Sequence, residues 1–186
     1  MSPAETIVEA QWAAERQGSY RFLTDQSMYS LFRRRPEGAV FPTAQRHGMG
    51  VLTFSPLNGG RLSGRADVSR GHRASSRPAL YDPATPAGRL KAAALEQLTA
   101  LADEAGLRLP QLAIAFALAH PTVTSVLIGP RTAEQLDGLL DGAGTTLTDD
   151  VLDRIDAIVP PGTDLNPEDN YAATPPPLED ARLRRR

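Results

Sequence analysis

The chain contains 186 residues, 41% of them hydrophobic, and its 20 basic side chains nearly balance 22 acidic ones, which gives a net charge of −2. This size and composition suit one domain with a real core and exclude wholesale disorder. The small net charge argues against binding to nucleic acid or membranes by charge, and the lack of cysteine excludes disulfides and thiolate sites. No apolar run reaches about 18 residues and residues 1–5 do not begin a secretory leader, so we expect a cytoplasmic protein.

Hydrophobic periodicity and capping residues predict helices that alternate with three short strands. The first predicted elements are, in chain order, a helix that Ser2 caps and Gly18 closes, a strand over 22–26, a helix over 36–46 that Pro42 interrupts and a strand over 51–54. They are followed by helices over 86–104 and from 110 to before His120, a strand over 123–128, a helix from Thr132 to about Leu140 and a helix that Thr148 caps. Residues 58–85 lack apolar periodicity and are rich in glycine and arginine, which predicts a long basic loop.

Strands separated by helices predict an α/β fold with a parallel sheet. Three parallel strands leave two unpaired edges, so the sequence looks like part of a fold. We expect the isolated chain to self-associate through these edges or to stay partly molten. Residues 1–159 form the predicted structured unit, and residues 160–186 form a Pro-rich, irregular tail. The apolar stripe of the helix over 86–104 is predicted to include Leu90, beside the only lysine, Lys91.

Four segments in order resemble signatures of the aldo-keto reductases. They are residues 26–31 with Arg34 and Glu37 for the sixth strand, residues 54–64 for the seventh strand, and residues 109–113 and 126–136 for the last helix–strand–helix unit. The resemblance implies a partial (β/α)8 TIM barrel, of which the chain supplies about the last three strands with their helices and an irregular C-terminal tail. It also implies NADP(H) at the C-terminal ends of the strands, with reversible NADPH-dependent reduction of aldehydes or ketones as the family reaction.

The resemblance assigns the nicotinamide end of the cofactor to two strand ends. The amide of Gln26 would bond to the nicotinamide carboxamide, and the ring of Phe54 would stack on the nicotinamide. Without the family motif, Gln26 is a capped strand end and Phe54 is a core aromatic.

The turn after the second strand is the predicted pyrophosphate site, because backbone N–H groups and glycines let a chain approach phosphates closely. The residues that the resemblance places there are Ser55, Pro56, Leu57, Asn58 and Gly59. Arg65 stands at a family position usually filled by lysine, and Arg73 with Ala74 resembles a family segment that closes over the cofactor. Without the resemblance, these arginines form a solvated surface.

The third strand is followed by Gly129 and a helix start, where free N–H groups and the helix dipole favour an anion. Arg131 can add a bidentate contact to a 2′-phosphate, which favours NADP over NAD. Thr132 and Gln135 belong to the same predicted site, and they can cap the helix as well.

The sequence departs from the family pattern at the adenosine end and at the catalytic residues. Gly138 and Leu139 stand where the family usually has Glu and Asn in contact with adenosine. The catalytic Tyr, Lys, Asp and His of the family lie on the first half of the barrel, which has no counterpart here. Lys91 lies on an amphipathic helix, and none of the four tyrosines has the motif context of the catalytic one. We therefore expect no catalytic residue in this chain.

Three functions stay open at this point. The chain is part of a reductase that takes a small carbonyl substrate once an N-terminal half completes it, or a non-catalytic NADP-sensing or interaction module such as the potassium-channel β subunits of the family suggest, or an inactive truncated product. We expect no metal site, because His47, His72 and His120 are scattered, and no nucleic-acid partner, because the basic runs at 33–35 and 182–186 are short and solvated.

Overall fold

A computed structural model describes residues 2–64, 82–166 and 180–183. The strands are β1 (Thr24–Met28), β2 (Gly50–Phe54) and β3 (Val123–Leu127). The α-helices are α1 (Ala4–Arg16), α2 (Val40–Arg46), α3 (Pro86–Glu104), α4 (Leu109–Ala119), α5 (Ala133–Ala143) and α6 (Asp149–Ile158), and short 3-10 helices span Arg35–Gly38, Asn58–Ser63 and Ala181–Leu183.

The three strands form one parallel sheet in the order β1-β2-β3. In this sheet Gln26 lies opposite Leu52, and Leu52 lies opposite Ser125. The register shifts between Val51 and Leu52, where the hydroxyl of Thr124 accepts the N–H of Val51 at 3.2 Å. The predicted α/β class and the parallel sheet with helical connections are therefore confirmed.

One face of the sheet is covered by helices and the other is open. In β2, Val51 and Thr53 are fully buried, whereas Leu52 and Phe54 are half-buried. This difference is expected because successive side chains of a strand point to opposite faces of the sheet. Helix α2 packs on β2, and α4 packs on β3. We call this second side the open face; its exposed or half-buried residues are Gln26, Leu52, Phe54, Ser125 and Leu127, while Met28, opposite Phe54 on the same face, is buried.

Two predicted details of the N-terminal elements are wrong. Helix α1 begins after Pro3, which occupies the capping position without a side-chain hydrogen bond, so Ser2 is not the cap. The helix over 36–46 breaks at Ala39, whose φ of −141° leaves the helical region, and not at Pro42. Pro42 lies in the first turn of α2, where a backbone N–H would have no partner within the helix in any case.

The strand predicted over 22–26 runs two residues later, from Thr24 to Met28. Phe22 and Leu23 precede it and are exposed, although the C=O of Leu23 already accepts the N–H of Gly50 at 2.9 Å. The start of β1 is determined by its pairing with β2, and a local sequence pattern carries no information about that pairing.

Helix α3 has the predicted bounds, but its buried face differs by one position. Leu90 is 57% exposed, while its neighbour Lys91 is 1% exposed and lies on the same face as Ala94, Leu98 and Leu101. Positions 91, 94, 98 and 101 repeat at helical spacing, and a lysine can bury its aliphatic stem among apolar neighbours. The prediction that Leu90 belongs to the core stripe is therefore wrong.

Candidate functional site

The C-terminal ends of the three strands lie side by side at one edge of the sheet. Met28 lies opposite Phe54, and Phe54 lies opposite Leu127. The backbone N–H of Tyr29 donates to the C=O of Phe54 at 3.3 Å, which continues the pairing past the end of β1. The segments that follow these strands therefore start from one edge, where ligands of parallel α/β sheets bind.

Gln26 lies on the open face two residues before the end of β1, with an exposed side chain. The alternate residues Asp25 and Ser27 are buried on the covered side, where the hydroxyl of Ser27 donates to the Asp25 carboxylate at 2.6 Å. The fold thus turns the amide of Gln26 to the same side as the half-buried ring of Phe54.

The turn after β2 has an unusual backbone. Ser55 and Asn58 have φ values of 61° and 47°, and Gly59 and Gly60 follow with 69° and 100°. Left-handed conformations at non-glycine residues cost about 1–3 kcal/mol each and are concentrated at functional sites. The N–H of Asn58 donates to the C=O of Ser55, and the N–H of Gly60 donates to the C=O of Leu57, both at 2.9 Å. These two N–H groups are used within the turn, and the predicted pyrophosphate contacts of this segment stay a prediction.

Pro56 is buried and Leu57 is half-buried under this turn; Leu57 also packs against the core cluster. Proline has no backbone N–H, so of these two residues only Leu57 could donate a backbone hydrogen bond to a phosphate. The predicted site residues Arg65 and Arg73 lie outside the described residues.

The start of α5 has the capping arrangement that the sequence predicts. The hydroxyl of Thr132 accepts the N–H of Gln135 at 3.2 Å, and the side-chain oxygen of Gln135 accepts the N–H of Arg131 at 3.0 Å. In the usual capping box, the side chain at the position of Gln135 accepts the N–H of the cap residue, here Thr132. Gln135 instead accepts the N–H of Arg131, one residue before the cap. The guanidinium of Arg131 is exposed beside this helix start, and Gly129 precedes it at the end of the strand.

Gly138 and Leu139 are buried, and Gly138 faces α4 rather than solvent. A Cβ at position 138 would lie 2.9 Å from Nη2 of Arg108, and one at position 142 would lie 2.9 Å from the Cα of Gln111. Close packing of α5 on α4 therefore requires a small residue at Gly142, whereas the neighbour of Gly138 is a flexible, exposed side chain.

A buried polar network joins the loop after β1 to the segment after α6. The hydroxyl of Tyr29 donates to Oε1 of Glu37 at 2.6 Å, and Nε of Arg34 donates to the same oxygen at 2.8 Å. Nη1 of Arg34 reaches the Asp156 carboxylate at 2.6 Å and the C=O of Val159 at 2.7 Å. The N–H of Gly162 donates to Oε2 of Glu37 at 2.9 Å. The sequence motif contains Arg34 and Glu37 at ion-pair spacing, but their partners more than 120 residues away are visible only in the fold. The expectation that the basic run at 33–35 is solvated is wrong for Arg33 and Arg34, because both are buried.

The network argues against a proton-transfer role for Tyr29. Burial, followed by the nearby Glu37 carboxylate, raises the pKa of the Tyr29 phenol far above its ordinary value of 10. The side chain also packs against the rings of Phe41 and Phe116, with centroids 5.0 and 5.4 Å away. Lys91 is buried within a helix and does not lie at a strand end. That neither Tyr29 nor Lys91 is a catalytic residue stays a prediction.

Other expected absences concern only the part of the chain that the structure describes. Within it, no three His, Asp or Glu side chains are grouped closely enough to hold a metal ion. In the same residues, no helix has both the length and the apolar character that crossing a bilayer would require.

Comparison with known proteins shows the family. The profile of the Aldo/keto reductase family matches residues 2–160, so the chain belongs to this family. It is 36% identical over 155 residues to an uncharacterized oxidoreductase, YrpG, of Bacillus subtilis, and the match covers 83% of the chain and 45% of that relative. It is 34% identical over 164 residues to a probable voltage-gated potassium channel subunit beta of Arabidopsis thaliana, covering 84% of the chain and 49% of the relative. A rice protein with the same description matches at the same level. The chain spans about half the length of these relatives.

Proposed function

We propose that this chain is the NADP(H)-holding portion of an aldo-keto reductase barrel. The observation that carries the proposal is the convergence of Gln26, Phe54 and the helix start at Arg131 on one edge of a parallel sheet. Such an edge offers an amide and an aromatic face for a nicotinamide, and a helix N-terminus with an arginine for a phosphate. In the family reaction, hydride passes between the nicotinamide and the carbonyl carbon of an aldehyde or ketone.

Each residue would act by binding or orienting the cofactor. The amide of Gln26 would bond to the carboxamide, and Phe54 would hold the ring plane from one side. The turn from Ser55 to Gly59 would pass close to the pyrophosphate. Arg131 would bind the 2′-phosphate that distinguishes NADP from NAD, while Thr132 and Gln135 hold the helix start in place.

Holding a cofactor does not require this chain to transfer protons. The hydroxyl of Tyr29 is bound to Glu37, and Lys91 is buried in α3, so neither supplies a general acid at the strand ends. This favours, as the second candidate, a module that binds NADP(H) without turnover. Two relatives are described as probable voltage-gated potassium channel beta subunits, and these descriptions support the second candidate.

Two assays on the purified chain test the proposal. Titration with NADPH, followed by its nicotinamide fluorescence, should show saturable binding that NADP competes for better than NAD. The same preparation should not oxidise NADPH when simple aldehydes are added. Failure to bind either nucleotide would contradict the proposal, and steady turnover by the chain alone would contradict the assignment of catalysis to residues outside it.

A further inference from the structure

The segment after α6 is attached to the loop that follows β1. Residues 160–166, which we call the strap, run antiparallel to the start of this loop. The N–H of Leu165 donates to the C=O of Phe32 at 3.0 Å, and the N–H of Arg34 donates to the C=O of Thr163 at 2.7 Å. Leu165 also packs against the core cluster. Main-chain bonds and apolar packing thus hold the strap to the loop.

A buried ion pair lies at the middle of this contact. Nη1 of Arg33 is 3.7 Å from one carboxylate oxygen of Asp164, and the two side chains are 1% and 3% exposed. The other carboxylate oxygen of Asp164 accepts the N–H of Arg35 at 3.1 Å. Separating the pair would leave a charge without its partner in a low-dielectric interior, so the pair opposes release of the strap.

The Glu37 carboxylate connects the strap to the end of β1. Its Oε2 accepts the N–H of Gly162 in the strap at 2.9 Å, and its Oε1 accepts the hydroxyl of Tyr29 at 2.6 Å. Tyr29 directly follows β1, and its own N–H donates to the C=O of Phe54, the last residue of β2. Three hydrogen bonds in series therefore lead from the strap to the strand ends that carry Gln26 and Phe54.

The side chain of Tyr29 is enclosed and has little freedom to move on its own. It is 1% exposed, and its ring lies 5.0 Å from the ring of Phe41 and 5.4 Å from that of Phe116, measured between centroids. Closely packed interiors transmit a displacement instead of absorbing it. A shift of the Tyr29 hydroxyl is therefore passed to its backbone, which bonds to Phe54.

The phosphate end of the proposed cofactor site is held differently. At the start of α5, Gln135 accepts the N–H of Arg131, and Thr132 accepts the N–H of Gln135. These two bonds join residues within one turn and involve neither the strap nor Glu37. The two ends of the site thus depend on different parts of the chain.

We propose that the strap is a positioning element for the nicotinamide end of the site, and that Glu37 is the positioning residue through which it acts. This inference rests on the proposed function. The strap sets how the end of β1 lies against β2, and hence where the amide of Gln26 lies relative to the ring of Phe54. Loss of the Glu37 carboxylate loosens this end and leaves the phosphate end as it is.

Two ligands that differ only in the nicotinamide separate the two ends. They are NADPH and 2′-phospho-ADP-ribose, which keeps the 2′-phosphate and the pyrophosphate, and calorimetry of the full chain measures both affinities. Glu37→Gln should weaken NADPH by about tenfold, roughly the contribution of one hydrogen bond, and leave 2′-phospho-ADP-ribose unchanged.

A second variant and a matched control accompany this measurement. Asp164→Asn removes the charge opposite Arg33 but keeps an acceptor for the N–H of Arg35, and it should act in the same direction as Glu37→Gln. It also carries the test if circular dichroism shows that Glu37→Gln is unfolded. The control is Glu104→Gln, which breaks an exposed ion pair far from the strap in the sequence and should change neither affinity.

Hydrogen exchange without nucleotide examines the same link independently of cofactor binding. In both strap variants, the amide of Tyr29 should exchange at least about fivefold faster than in the wild type, while the amide of Leu139 in α5 keeps its rate. A merely less stable protein would exchange faster at both amides. Comparing the two amides within one variant therefore separates positioning from global destabilisation.

The outcomes distinguish this inference from the proposed function. Equal weakening of both ligands, no change in either, or an unchanged exchange rate at Tyr29 would overturn the role of the strap and leave the proposed function standing. A wild type that binds neither ligand would contradict the proposed function, and this inference with it.

Discussion

The side-chain oxygen of Gln135 accepts the backbone N–H of Arg131 at 3.0 Å. This bond joins the first turn of α5 to the residue before the helix cap. It therefore positions the backbone of Arg131, which carries the exposed guanidinium. The hydroxyl of Thr132 accepts the N–H of Gln135 in return. The proposed 2′-phosphate site is thus built from consecutive residues of one short segment, and its backbone is fixed before any ligand arrives.

The packing of α5 on α4 supports this segment and can be tested with a pair of glycines. At Gly142, an added Cβ would lie 2.9 Å from the backbone of Gln111, so one helix must shift. We expect Gly142→Ala to lower the free energy of unfolding by about 1–2 kcal/mol, the steric cost exceeding the gain in helix propensity. Urea unfolding followed by circular dichroism measures the change.

Gly138→Ala is the control for this pair. The nearest atoms there belong to the guanidinium of Arg108, a flexible, exposed group that can move aside. We expect stability to stay the same or to rise by up to about 1 kcal/mol. Equal losses in the two variants would mean that close approach of the helices is not what Gly142 provides.

Glu37 is predicted to be the main electrostatic support of the loop after β1. Glu37→Gln would remove the charge opposite Arg34, whose side chain is almost completely buried, and weaken the acceptor of the Tyr29 hydroxyl. Breaking a buried pair from one side costs about 3–5 kcal/mol, and the remaining bonds from Arg34 to Asp156 and Val159 reduce this to about 2–4. Chemical denaturation at neutral pH measures the loss.

The matched substitution is Glu104→Gln, which breaks an ion pair of similar length, 2.7 Å to Arg154, between exposed side chains. Solvent screening limits the contribution of such a pair to less than about 1 kcal/mol. If Glu37→Gln proved no more damaging than Glu104→Gln, the buried network would contribute little to stability.

His120 is predicted to make the fold sensitive to mild acid. Burial lowers the pKa of this imidazole, Arg34 acts in the same direction, and Glu37 opposes them. Because the folded pKa lies below the unfolded value of about 6.5, the unfolded chain binds the proton more readily. The free energy of unfolding should therefore decrease as the pH falls through about 6.5 toward the folded pKa.

Denaturation midpoints at pH 7.5, 6.5 and 5.5 check this dependence for the wild type and for His120→Gln. The variant keeps a polar side chain but cannot take up a proton, so its stability should decrease less over this range. Parallel curves for the two proteins would show that His120 does not contribute.

Local sequence signals predicted several elements of the fold correctly. They failed where contacts between residues far apart in the chain determine the structure. The bounds of α3 follow from the Thr85 cap and Pro86 at the first helical position, both of which act within one turn. Whether Leu90 or Lys91 is buried depends on what packs against the helix, and β1 begins at Thr24 because β2 pairs with it there. Neither fact can be predicted from the local sequence pattern.

The candidate site divides in the same way. The capping of α5 by Thr132 and Gln135 involves only neighbouring residues, so the sequence predicts it. The one difference is that Gln135 accepts the N–H of Arg131 instead of that of Thr132. The role of Arg34 and Glu37 depends on Asp156, Val159 and Gly162, which approach only after the whole chain has folded. The turn at Ser55 and Asn58 is predicted as a turn, but the left-handed φ values of these two non-glycine residues are visible only in the structure.

Calorimetric titration of the wild type and Arg131→Ala with NADP and with NAD is the most direct test of the central claim. A charge-assisted bidentate contact contributes roughly 1.5–3 kcal/mol, so loss of the Arg131 guanidinium should weaken NADP by about 10- to 100-fold and leave NAD almost unchanged. Arg154→Ala, which removes an exposed arginine from α6, should affect neither nucleotide. Equal affinity of the wild type for NADP and NAD, or an unchanged NADP affinity in Arg131→Ala, would show that the 2′-phosphate does not bind at the start of α5.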